Sequence, residues 1–402
     1  MSDVRFAAIA DDVTGGSDLA GMLFGQGVRT VQTFGVPGAE EVRLIGRYEA
    51  VVVSLKTRSV EAGAAVEESL RAWRALEPLR PRQWQFKYCS TFDSTPKGNI
   101  GPVAGALMEA MGVGFTIAVP ALPVNGRTQY NGHLFVLGEL LSDSPMRTHP
   151  LNPMTDSDLV RWLQLQTSKK VGLIPWSVVA QGAEAVRAKA RELEREGVGM
   201  ALVDAITDGD MARIAEAFVD SALVTGGSGL AVHLPRCWGV ERSAAEEHAP
   251  TPGRTLILSG SCSRATLEQL EALRATGVRV LPYTASRGEV EAALEGDGFA
   301  ALSSSAAPEA RSPGAEREIE LAMAEWARRM VSECGVRRLI VAGGETSGAV
   351  VEALGVRAVE LTSILDPGVP SLRTLGEEPL ALALKSGNFG SRDFFAKAMG
   401  RI

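Results

Sequence analysis

Two carboxylates stand side by side in "AIADDVTGGSDLAG", where Asp11 and Asp12 follow an apolar run and precede Thr14, Gly15 and Gly16. Adjacent acids at a strand end suit metal or hydroxyl binding, with one as a general base. Read as capping aspartates, they would only start the helix that follows. In "SLKTRS", Lys56, Thr57 and Arg58 close another apolar run. Arg58 there can hold a carboxylate through two parallel hydrogen bonds, or sit in a solvated basic turn. The densest polar stretch is "STFDSTPKGNIGP", with Asp93, Ser94, Thr95, Lys97 and Asn99, and with Pro96 and Gly98 fixing the backbone. Small hydroxyls, an amide, one lysine and one carboxylate suit a polyhydroxylated anion. A further loop, "PALPVNGRTQYNGHLF", adds Asn125, Arg127 and His133. A lone histidine such as His133 is more often structural.

A second set lies nearer the C-terminus. "LILSGSCS" ends in Ser259, Gly260 and Ser261, "LIVAGGETSG" in Gly343, Gly344, Glu345, Thr346 and Ser347, and "LALALKSGNFGS" in Lys385, Ser386, Gly387 and Asn388. Glycine lets backbone N–H groups approach an anion, and a following helix offers free amides and a positive dipole end. Three such turns together would make a phosphate cradle. Loops between strands and helices are often glycine-rich without binding anything, but three hydroxyl-bearing ones in one small domain favour function.

These residues need a frame that brings strand ends together. Short apolar runs ("RFAAIA", "AVVVSLK", "WQFKYC", "FTIAVPA", "MALVDA", "ALVTGG") alternate with amphipathic segments such as "VEAGAAVEESLRAWRAL". That alternation predicts an α/β fold with a mainly parallel sheet flanked by helices. It breaks over "CWGVERSAAEEHAPTPGR", which is polar and carries two prolines. The expected organisation is therefore two domains, 1–235 and 254–402, joined by a linker over 236–253. "SSSAAPEARSPGA" (303–315) reads as a loop. In open parallel sheets ligands bind at the carboxyl ends of strands, and all the stretches above fall there.

Composition narrows the function. Two domains suit the 402 residues, and 45% hydrophobic content can fill two cores. The formal charge of −7 disfavours a nucleic-acid surface, though a local basic cluster can still take a small anion. No apolar stretch of about 18 residues predicts a membrane span. The N-terminus does not read as a signal peptide, and the four cysteines show no CxxC pairing, so free thiols in the cytoplasm are expected. No HExxH spacing points to zinc, no GxGxxG to a dinucleotide, and no GxxxxGK[ST] to a Walker loop.

The set "ADDVTGGSDLAG", "STFDSTPKGNIGP", "VPALPVNGRTQYNGHLF", "SGSCS", "VAGGETSGAVVEALG" and "LKSGNFG", in that order along nearly the whole chain, resembles the four-carbon acid sugar kinases. "TGGSD" departs slightly from the "TGATD" or "TGAND" usual there. Within the family, the "STFDSTPxGNIGP" form resembles the 3-oxo-tetronate kinases, whereas threonate and erythronate kinases are expected to carry "DSTLRG". The resemblance implies a sugar-acid-binding N-terminal domain, a nucleotide-binding C-terminal domain and an active site in the cleft between them. It implies transfer of a phosphoryl group from ATP, with Mg²⁺, to the 4-hydroxyl of a 3-oxo four-carbon acid. Asp12, Asp11 and Asp93 are then the catalytic candidates, with Asp12 preferred. Thr14, Arg58, Ser94, Thr95, Lys97, Asn99, Asn125 and Arg127 would bind the acid, and Ser259, Gly343, Gly344, Glu345, Thr346, Ser347 and Gly387 the nucleotide. No metal ligands are assigned. The expected partners are small molecules, without nucleic acid or membrane, and a homo-oligomer is allowed. The alternatives are a threonate or erythronate 4-kinase and a non-catalytic sugar-acid sensor.

Overall fold

Near-continuous apolar runs form strands that can be buried on both faces, and such strands pair in parallel. The computed structural model of the chain describes residues 4–149, 151–240, 249–306, 315–376 and 378–402. Residues 241–248 of the expected linker and 307–314 of the expected loop lie outside them. The described residues of Met1–Thr30 and Gly35–Ser243 form one compact unit, and those of Val31–Phe34 and Ala244–Ile402 another.

In the first unit the strands run in the order Ala50–Ser54, Phe6–Ala10, Gln83–Lys87, Leu223–Gly226, Thr116–Val119, Val198–Val203 and Lys170–Ile174. Every neighbouring pair is parallel. Register sets the site. Ala10 pairs with Ser54 on one side and Lys87 on the other. Lys87 pairs with Gly226, and Gly226 with Val119. The carboxyl ends therefore stop at one level, and the residues that follow them emerge together.

The helix Val13–Phe24 follows the first strand and is N-capped by Asp12, whose Oδ1 accepts from the Gly15 N–H at 2.9 Å. The stretch 120–135, expected as a loop, is partly a hairpin: Arg127–Tyr130 and His133–Val136 pair antiparallel, and Glu139–Leu140 adds a third strand. Asn131 (φ 47°) and Gly132 (φ 78°) make its turn, the left-handed pair that Asn-Gly favours. Buried Asp204 clamps this turn by accepting from the N–H groups of Asn131 (2.6 Å) and Gly132 (2.9 Å).

The second unit orders its strands Val280–Pro282, Phe299–Ser303, Arg254–Ser259, Val336–Ala342, Ala381–Lys385, Val369–Thr374, Ala358–Asp366 and Thr30–Phe34. The first five are mutually parallel and the rest antiparallel. Thus a segment of the N-terminal half, Val31–Phe34, belongs to the second unit, pairing with Ala358–Glu360. Ile257, Ile340, Ala383, Phe394 and Phe395 lie in its core.

Gly226 shows how tightly the first sheet is closed. At φ +147°, a Cβ there would lie 2.2 Å from the Val119 carbonyl oxygen, a backbone atom with little room to move. Gly226→Ala should cost about 3 kcal/mol or more through overpacking and backbone strain. Urea unfolding should show a clear drop in midpoint, and an unchanged midpoint would contradict this packing.

Candidate functional site

The end of the first strand carries a buried ionic knot. Arg58 donates from Nη2 to Asp11 Oδ1 (2.7 Å) and Asp12 Oδ1 (2.7 Å), and from Nε to Asp11 Oδ2 (3.0 Å). Asp12 Oδ2 accepts from the Thr14 hydroxyl at 2.9 Å. Two adjacent carboxylates are tolerated because one guanidinium spans both. Burial raises the Asp11 carboxyl above its ordinary range, against the pull of Arg58. Burial also pushes Asp12 upward, but Arg58 and Lys87 outweigh it and leave Asp12 below its ordinary range. Asp12 is thus both a helix cap and a member of the cluster.

The polar stretch after Lys87 divides into two roles. Asp93 is buried, and its Oδ1 accepts from the Thr91 hydroxyl at 2.5 Å. Oδ2 has no hydrogen bond among the described residues. Ser94 is a structural hub: its hydroxyl donates to the Phe92 carbonyl and accepts from Gln166 Nε2 (2.9 Å) and Trp162 Nε1 (3.3 Å). Asn99 donates from Nδ2 to the carbonyls of Thr57 (2.6 Å), Arg58 (3.3 Å) and Val60 (3.3 Å). Asn99 therefore holds the segment that presents Arg58. Thr95 passes its carbonyl to Gln166 Nε2 at 3.0 Å. Lys97 is exposed. Arg127 Nη1 donates to the Asn125 carbonyl, and its buried Nε has no partner. No hydrogen bond or ion pair among the described residues joins Lys97, Asn125 or Arg127 to the Asp11–Asp12–Arg58 knot.

The chemistry of this strand edge also includes residues that the stretches above did not single out. Lys87 ends the central strand with its side chain buried. Asp18, on the helix that Asp12 caps, accepts from the Ser228 hydroxyl at 2.5 Å. A lysine at the last position of a strand that is buried throughout, QWQFK, was the available signal for the first. Ser228 is reached only through the pairing of Lys87 with Gly226.

In the second unit the register again levels the strand ends. Ser259 pairs with Ser303 and Ala342, and Ala342 with Lys385. The three expected turns touch one another. A Cβ on Gly260 would lie 2.0 Å from Thr346 Oγ1, and one on Gly387 would lie 2.3 Å from Ser261 Oγ. The Gly387 carbonyl accepts from Ser263 Oγ (2.6 Å), Thr266 Oγ1 (2.8 Å) and Lys385 Nζ (3.2 Å). Lys385 also donates to Thr266 Oγ1 and the Ser386 carbonyl, both at 3.1 Å. Burial pulls its ammonium down to about 8. The buried Ser259 and Ser347 hydroxyls have no hydrogen-bond partner among the described residues. Gly343 (φ +123°) and Gly344 lead into the helix Gly344–Ala353, and Glu345 is exposed. A fourth turn joins in, since Ser304 Oγ donates to the Gly260 carbonyl at 3.2 Å. Close glycine backbones, unpartnered hydroxyls and a lysine beside a helix N-terminus fit a phosphate chain. Among the described residues no group of three or more His, Cys, Asp or Glu could hold a metal ion, and no helix is long and apolar enough to cross a membrane.

Known proteins with this arrangement define its class. Residues 6–234 match a sugar-binding N-terminal domain and residues 256–395 a nucleotide-binding C-terminal domain. The chain belongs to the four-carbon acid sugar kinase family. It is 48% identical to a 3-oxo-tetronate kinase of Pseudomonas fluorescens, over 98% of this chain and 96% of that one. It is also 48% identical to a 3-oxo-tetronate kinase of Burkholderia multivorans, over 97% and 96%. A crystal structure of a Haemophilus influenzae protein, 39% identical, superposes with a TM-score of 0.81 over 98% of this chain and 99% of that one.

The ionic knot and Lys385 each give a test. Arg58→Met would leave two carboxylates uncompensated, and breaking such a buried pair costs about 3–5 kcal/mol. Without Arg58, the folded-state pKa of Asp11 should rise further above its unfolded value. Protonation then relieves the penalty as pH falls, so the stability deficit of Arg58→Met should be larger at pH 7 than at pH 5. Denaturant titrations at both pH values check this, and a deficit independent of pH would contradict it. For Lys385, loss of a proton above about pH 8 removes both a donor and the positive charge. The KM for ATP should therefore rise as pH passes about 8 in the wild type, whereas Lys385→Met should be weak and flat with pH. A wild-type KM constant up to pH 9.5 would show that this ammonium does not matter for the nucleotide.

Proposed function

We infer that the protein is an ATP-dependent kinase of a four-carbon sugar acid, with 3-oxo-tetronate as its substrate and 3-oxo-tetronate 4-phosphate as its product. The observation that carries this reading is the near full-length likeness to 3-oxo-tetronate kinases, spanning both the sugar-binding and the nucleotide-binding match. The geometry agrees with such a division of labour, with a carboxylate-rich strand edge in one unit and a glycine-hydroxyl cradle in the other. ATP, bound with Mg²⁺, supplies the phosphoryl group and the neutralisation of its charge. Mg²⁺ typically keeps phosphate and water ligands and takes only one or two carboxylates, which needs no dedicated acidic cluster. We place the reaction in the cytoplasm, consistent with four cysteines that are all free.

The acceptor hydroxyl must be oriented and must lose its proton as the new O–P bond forms and the bond to the leaving ADP breaks. Asp93 suits this task better than the other two acids. Both oxygens of Asp11 are held by Arg58, and both of Asp12 by Arg58, Gly15 and Thr14. Asp93 keeps one oxygen without a hydrogen bond among the described residues, while Thr91 fixes the other. The preference for Asp12 is therefore replaced by one for Asp93, with Asp11, Asp12 and Arg58 forming a rigid floor. The Asn99 amide nitrogen and the Ser94 hydroxyl act by holding loops, since both are already engaged.

An ADP-release assay over a panel of four-carbon acids tests the reading. The kcat/KM should be higher for 3-oxo-tetronate than for threonate or erythronate, and silence with every acid would refute it. Asp93→Asn should lower kcat by roughly 10²–10⁴, the usual contribution of a positioned base, with ATP affinity unchanged by calorimetry. A near-normal kcat in Asp93→Asn would remove Asp93 from this role.

A further inference from the structure

An acid substrate needs a positive charge, and the first unit offers few. Arg58 lies between Asp11 and Asp12 and spends Nε and Nη2 on them, so most of its charge is already balanced by two carboxylates. Lys97 is exposed, and Arg127 is joined to the neighbouring Asn125. Lys87 is different. It is 3% exposed and ends the central strand of the parallel sheet. Its ammonium makes one hydrogen bond, to the Tyr88 carbonyl at 3.0 Å, and no ion pair among the described residues. An ammonium has three N–H donors, and this one spends a single one on a carbonyl, its charge balanced only at a distance by Asp11, Asp12 and Asp18. Nζ lies against Gly15, since a Cβ on that residue would stand 3.0 Å from it and 2.2 Å from Asp12 Oδ1. Any side chain at this position would press on both the ammonium and the Asp12 carboxylate.

Asp11, Asp12 and Asp18 all feel this charge, but none makes an ion pair with it among the described residues. Asp18 is 5% exposed, takes the Ser228 hydroxyl on Oδ2, and leaves Oδ1 buried without a hydrogen-bond partner among the described residues. Burial raises its carboxyl above the ordinary range, against the pull of Lys87. Beside Ser228, Gly227 fits tightly, because a Cβ there would lie 2.8 Å from the Pro120 carbonyl oxygen. Lys87 thus sits between two glycine-lined strand ends, the Asp12–Gly15 turn and the Gly226–Ser228 turn, with donors to spare.

We propose that Lys87 is the residue that reads the acid end of the substrate, its ammonium pairing with the carboxylate while Asp18 and Ser228 hold the opposite side of the strand edge in place. The proposal rests on the sugar-acid kinase reading and adds a specificity-determining residue to it. The carboxylate is chemically inert in the transfer, so Lys87 acts on recognition and not on the reacting hydroxyl. Its contribution should therefore appear only with substrates that carry the charge.

The test compares 3-oxo-tetronate with its carboxamide, which keeps the shape and the terminal hydroxyl but is neutral. Wild-type enzyme should favour the acid in kcat/KM. Lys87→Met should lose about 10- to 150-fold on the acid, the range of a hydrogen bond to a charged group, mainly through KM. On the amide it should change less than about threefold, so that the preference for the acid collapses. Lys87→Gln provides a second uncharged variant should the first fail to fold, and Lys87→Arg should keep part of the preference. Equal losses on acid and amide would place Lys87 at the reacting end and overturn the proposal, as would an unaltered acid preference in Lys87→Met. A wild-type enzyme that releases ADP with neither compound would overturn the kinase reading itself.

Discussion

Asp11 and Asp12 share a strand end because Arg58 donates to both from the turn that follows the neighbouring strand. Without that guanidinium, two buried adjacent carboxylates would repel and would be driven toward protonation. Arg58 is presented correctly because Asn99 binds the carbonyls of Thr57, Arg58 and Val60. Asn99 in turn belongs to the polar stretch that contains Asp93. The backbone closes the same loop, with the Thr57 and Arg58 N–H groups donating to the Asp11 carbonyl and the Asp11 N–H donating to that of Lys87. Three consecutive strand ends are thereby tied into one rigid floor, against which a small polar ligand can be held.

The second unit solves a related problem with neutral groups. Its turns approach so closely that side chains are excluded at Gly260 and Gly387. Lys385 takes the place of a counter-ion there, bonded to the Gly387 and Ser386 carbonyls and the Thr266 hydroxyl. It orders the turn from beneath while adding positive charge. Much of the polarity in both units is thus spent on placing loops, and fewer groups than the composition suggests are left to meet ligands.

Most of the parallel strands were legible because they are largely apolar runs bounded by turn residues, whereas Lys170–Ile174, Val280–Pro282 and Phe299–Ser303 did not stand out. Thr30–Phe34, Ala358–Asp366 and Val369–Thr374 were not, since each mixes polar and apolar residues and pairs antiparallel at a part of the sheet that local sequence does not specify. The assignment of Val31–Phe34 to the second unit is non-local and has no signal in its own five-residue strand. The hairpin turn at Asn131 and Gly132 did carry a signal, the Asn-Gly pair, within a stretch taken as loop. At the site, the glycine turns and Asp11, Asp12, Arg58 and Asp93 stood out by residue type. Structural roles did not, because the loop-holding bonds of the Ser94 hydroxyl and the Asn99 amide nitrogen depend on partners far away in sequence. Lys87 and Asp18 were hidden inside a buried strand and a largely apolar helix, where only register reveals that they face the same edge.

The central claim is that phosphate moves from ATP to the terminal oxygen of a four-carbon 3-oxo acid. Phosphorus NMR of the product mixture tests it directly. The account predicts a new phosphomonoester signal split by the two protons of a terminal methylene, growing in step with ADP. Formation of inorganic phosphate and ADP alone, or a phosphomonoester coupled to a single methine proton, would contradict it.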